Sequence, residues 1–117
     1  MELTKTINVN GNSYTTKFPK VGQIIDIKVL ENQLAKGTSK ELITGLPEDL
    51  DVYIYISAYA HFTVLFPDLL KDLKVSSLLD LDIRDYEVLV KEFVKVKEWI
   101  NEVKDNLHKK IETINED

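Results

Sequence analysis

The sequence predicts an α+β fold that is mostly α: an N-terminal β-hairpin packed on a helical bundle with a long C-terminal helix. Three observations predict it. Apolar residues keep one parity on either side of an Asn-Gly turn within residues 1–18. Helical spacing then takes over, punctuated by prolines at positions 19, 47 and 67. A stripe at intervals of three and four residues runs through about residues 83–114. The length of 117 residues fits one domain, with 1–18 as the hairpin and 19–117 as the helical part.

In the hairpin, Leu3, Ile7 and Val9 share one parity, and Tyr14, Thr16 and Phe18 share another after Asn10-Gly11-Asn12. Asn and Gly tolerate the positive φ angles of a tight hairpin turn. An isolated hairpin is marginal in water, so its apolar face must pack on helices.

Pro19 ends the second strand, and residues 20–36 read as a helix. Val21, Ile24, Ile25, Lys28, Leu30 and Leu34 follow at mixed helical spacing, with Gly37 as its stop signal. Ile27 and Val29 fall between these positions, which gives Ile24 to Leu30 a strand-like look as well. The polar continuation from Glu31 to Lys36 favours helix. Residues 37–46 read as a loop holding at most one helical turn.

Pro47, followed by Glu48 and Asp49, announces a helix running to Phe66. Its apolar residues lie nearly all round, so it is expected to be buried on most sides. A short helix is expected over Pro67 to Leu73, then a turn over Ser76 to Asp80, then Asp82 as the N-cap of the longest element. The stripe of that element is Ile83, Tyr86, Leu89, Val90, Phe93, Val96, Ile100, Val103, Leu107, Ile111 and Ile114. The expected core is Tyr53, Ile56, Ala60, Phe62, Leu89, Phe93 and Val96.

Charge and composition exclude several function classes. There is no cysteine, which removes disulfides, thiolate metal sites and a cysteine nucleophile together. The net charge is −5, and residues 61–117 carry 9 Lys/Arg against 13 Asp/Glu. Nucleic-acid binding rests on clustered basic residues, so no nucleic-acid partner is expected. The longest apolar-rich stretch, Val52 to Phe66, is too short and too polar to span a bilayer, so no membrane partner is expected either. The N-terminal residues have no apolar core region of a signal peptide, which places the protein in a cytoplasm.

No catalytic constellation emerges. Asp80, Asp82 and Asp85 form the densest carboxylate group, but a calcium loop needs a central glycine and a closing glutamate. Carboxylates entering a helix serve its dipole instead. His61 and His108 lack a His or carboxylate partner at i+3 or i+4 on a shared face, apart from Glu112 beside His108. His61 is expected to donate a hydrogen bond at the core edge. Gly11, Gly22, Gly37 and Gly45 make no phosphate-cradling loop, and the serines have no neighbouring base in a known motif. The expectation is a non-enzymatic protein that needs no cofactor and no metal.

Beyond Trp99 the stripe thins to Val103, Leu107, Ile111 and Ile114. A helix of about 30 residues spans about 45 Å, against a radius of gyration of about 13 Å for a domain of this size. The tail either overhangs the domain as a coiled-coil-like seam or folds back on the core helix. On the first alternative those four residues bind a partner, with Leu42, Ile43 and Leu46 of the loop as a second surface.

The stretch from Ile7 to Pro19, a strand, an Asn-Gly turn and a second strand ending in Lys-Phe, resembles the start of many small tailed-bacteriophage proteins. The run from Phe66 to Leu73 and that from Ser77 to Asp82 resemble a pattern of phage structural-module proteins. Length, acidity, absent cysteine and helical content are similar to tail assembly chaperones. The resemblance covers the first fifth of the chain and a middle segment, and no binding residue carries over. It implies a non-enzymatic assembly factor that binds helical segments of a long tail protein, with self-association as a further mode. The alternative is a virion component such as a small ring, connector or decoration protein. The implied location is the host cytoplasm, or the virion on the alternative.

Overall fold

The computed structural model describes residues 3–37, 52–74 and 80–115. In chain order the elements are β1 (Thr4–Val9), β2 (Asn12–Lys17), α1 (Val21–Gly37), α2 (Val52–Leu65), α3 (Pro67–Leu73) and α4 (Ile83–Asn115). The architecture is the expected one, a two-stranded antiparallel hairpin on helices, with α4 the longest element.

The hairpin register runs from Thr4 opposite Lys17 to Val9 opposite Asn12. Asn12 therefore belongs to the strand, and the turn is only Asn10-Gly11. Their φ angles of 52° and 83° are both positive, as a two-residue turn matched to strand twist requires. Ile7, Val9 and Thr16 are buried on one face. The other face is polar, where the Thr6 and Thr15 hydroxyls stand 2.7 Å apart and Ser13 donates to Asn8 Oδ1 at 2.6 Å. Besides core packing, a hydrogen bond and a ring contact among the described residues fasten the hairpin to the helices. Tyr14 donates its hydroxyl proton to Asp72 Oδ2 on α3 at 2.8 Å. Phe18 meets Trp99 of α4 edge-on, with ring centroids 5.5 Å apart.

Local chemistry sets the helix ends. The Lys20 N–H donates to Gln23 Oε1 at 2.9 Å, half of a capping box, and satisfies a donor that the start of α1 would leave open. Pro67 cannot continue α2, and it opens α3 at the first helical position. Lys74 closes α3 in the left-handed region at φ 55°. Asp82 caps α4 as expected: its Oδ1 accepts from the Arg84 N–H at 2.9 Å.

Six of the seven expected core residues are buried: Ile56, Ala60, Phe62, Leu89, Phe93 and Val96. Tyr53 is not; it is 82% exposed. Ile54 beside it is exposed too, so α2 is solvated on part of its first turn despite apolar residues all round. Ala58 and Ala60 are fully covered, and such small side chains let a neighbouring helix approach closely. The core joins α2 to Tyr86, Trp99, Ile100 and Val103 of α4, Ile7 and Val9 of β1, Ile27 of α1 and Leu69 of α3. Full burial of a side chain such as Phe62 is worth about 1.5–3 kcal/mol. The expected first turn at Pro47 and the turn at Ser76 fall outside the described residues.

Candidate functional site

The most conspicuous feature outside the core is α1, which is apolar on two opposite faces. Ile27 is buried and Leu30 and Leu34 pack against the core, so that face is used internally. Val21, Ile25 and Val29 recur every fourth residue and point the other way, at 75%, 55% and 49% exposure. Eight residues of helix place them on one line of about 12 Å. Gly22 lies beside this line, and a Cβ built there would meet nothing within 4 Å. Among the described residues no packing explains a glycine at this helical position.

This face was hidden in the sequence by its own double pattern. The mixed spacing that made Ile24 to Leu30 look strand-like is the superposition of two helical stripes. Separating 21–25–29 from 27–30–34 resolves it.

The residues expected to bind a partner on the long helix are only partly so placed. Val103 is 2% exposed and belongs to the core, which corrects its assignment to the partner surface. The reason is the hairpin: β1 lies against α4, and Lys5 lines one groove together with Trp99 and Val103. Covering of the stripe thus reaches one turn further than Trp99. Beyond that point Lys104 to Lys109 are all exposed, with Leu107 at 39%. Ile111 and Ile114 lie on the last turns of α4, beyond its described side chains, and Leu42, Ile43 and Leu46 lie outside the described residues. An exposed pair, Val88 and Val94, borders a shallow groove with Lys91, Lys95 and Glu98.

Comparison with family models, with curated proteins and with solved structures finds no match for this chain. Function therefore rests on the chemistry of the chain itself.

Two of the polar groups weighed for chemistry, Asp82 and His61, have structural partners. Asp82 Oδ1 accepts from Arg84 Nε at 3.1 Å, and this side-chain bond holds the Asp82 carboxyl below its usual range. Among the described residues no group of three His, Cys, Asp or Glu stands together as a metal site, and no helix is long and apolar enough to cross a membrane. His61 is buried and donates Nδ1–H to the Ser57 carbonyl at 2.6 Å, the core-edge bond expected of it. Its carboxylate neighbour comes from another helix: Glu31 Oε1 lies 3.9 Å from Nδ1. A search confined to helical spacing along one element could not find that pair.

Proposed function

We propose that this chain is a non-enzymatic assembly factor of the tail assembly chaperone kind, which binds a helical segment of a long phage tail protein. The observation that supports the reading is the outward face of α1. Apolar side chains at i, i+4 and i+8 form a ridge that fits the groove of a second helix. Leu107 on the exposed stretch of α4 offers a further apolar contact. The acidic surface keeps such a factor soluble while its apolar face is open.

The virion-component reading calls for a persistent interface, and obligate interfaces bury about 2,000 Å² or more. A ridge of three side chains is a small fraction of that, which favours a contact that can be released. Mass spectrometry of purified particles separates the two. A chaperone is absent from finished particles and co-purifies with the tail protein before assembly. Stoichiometric presence in particles would favour the structural component and end the chaperone reading.

A further inference from the structure

We propose that the cleft between α1, α2 and α4, lined by Lys28, Lys97, Lys104 and His61, binds a small oxyanion, either a phosphate group or a carboxylate. This goes beyond the protein-binding reading and rests on different residues.

The cavity measures about 60 Å³ and is floored by Ile27 and Ile100. It has room for a few waters or one small oxyanion. Among the described residues that line it, three lysines from two helices, Lys97 half-buried and Lys28 and Lys104 exposed, stand against a single carboxylate, Glu31. That concentration of positive charge stands out in a chain of net charge −5.

Glu31 does not neutralise the cleft. Its carboxylate is 4.0 Å from Lys28 Nζ and 3.9 Å from His61 Nδ1, which leaves Lys97 and Lys104 without a comparably close acid of their own in the lining. Lys97 is half-buried. Burial pushes its ammonium below the usual range, Lys28 and Lys104 push it the same way, and Glu31 acts in the opposite sense. Like charges held over an apolar floor repel more strongly than in open water. An anion seated among them relieves both the repulsion and the lost hydration. The buried ring of His61 forms the inner wall, where it reports occupancy.

The test is a nuclear magnetic resonance titration of the full chain with sodium phosphate, and in parallel with sodium acetate, at ionic strength held constant with sodium chloride. Saturable shifts of the His61 ring and of the backbone around Lys97 are expected. Binding should be about tenfold weaker in Lys97→Gln, kept in Lys97→Arg, and weakened in Lys104→Gln, where the exposed side chain makes folding safe. Saturation by phosphate alone assigns a phosphate group, saturation by acetate alone a carboxylate, and saturation by both a general oxyanion site. Linear shifts without saturation, or saturation unchanged in both Gln variants, would overturn the proposal.

Discussion

His61 and Glu31 face each other across the α1–α2 contact with 3.9 Å between Nδ1 and Oε1, yet His61 is held in its neutral form. Burial pushes its pKa below the ordinary 6.5, and Lys97 and Lys28 act in the same direction, outweighing the Ser57 carbonyl and Glu31. The unfolded chain then binds a proton before the folded one does. Stability from this site is complete above the unfolded value and declines as pH falls through 6.5 toward the lowered folded value. Urea midpoints measured between about pH 7.5 and 5 should fall with pH, and His61 should titrate below its unfolded value by nuclear magnetic resonance. A His61 that titrates above that value would refute the assignment.

Phe93 packs on the rings of His61 and Phe62 at centroid distances of 5.2 and 6.3 Å. Phe93→Ala should destabilise by about 3–5 kcal/mol, through lost burial and the cavity left behind. Tyr53→Ala should change stability by about 0.5 kcal/mol or less, as expected of an exposed side chain. Chemical denaturation of both variants checks the contrast, and equal losses would misplace Tyr53.

Two glycines should respond in opposite directions to the same substitution. Gly11 has φ 83° with open space around it, so Gly11→Ala meets no clash and only backbone strain. A loss of about 1 kcal/mol is expected. Gly22→Ala in α1 should gain up to about 1 kcal/mol, since alanine favours the helix and meets nothing. Thermal melts decide both, and a loss in Gly22→Ala would show an intramolecular role for that glycine.

The elements were legible in the sequence because local chemistry fixes them. Asn10-Gly11 dictates the turn, Pro67 separates α2 from α3, and Asp82 caps α4. What depends on distant packing was not legible. The apolar surround of α2 gave no orientation, so Tyr53 was placed inside. The sequence leaves open whether Val103 faces a partner or the core, because nothing local reveals that β1 lies against α4. The outward face of α1 was present in the sequence as Val21, Ile25 and Val29, but it was masked by the inward stripe laid over it. The His61–Glu31 pair and the lysine cleft join residues far apart in the chain, so no spacing rule finds them.

Binding through the outward face of α1, as the proposed function has it, is tested most directly by co-expressing the tagged chain with the long helical tail protein proposed as its partner. The amount of complex recovered is compared between the native chain and an Ile25→Glu, Val29→Glu variant. Both side chains are exposed, so the variant should melt within a few degrees of the native chain, about the effect of a surface change. The expected result is a loss of about tenfold or more in recovered complex at unchanged fold. Undiminished complex from a folded variant would contradict a partner seated on α1.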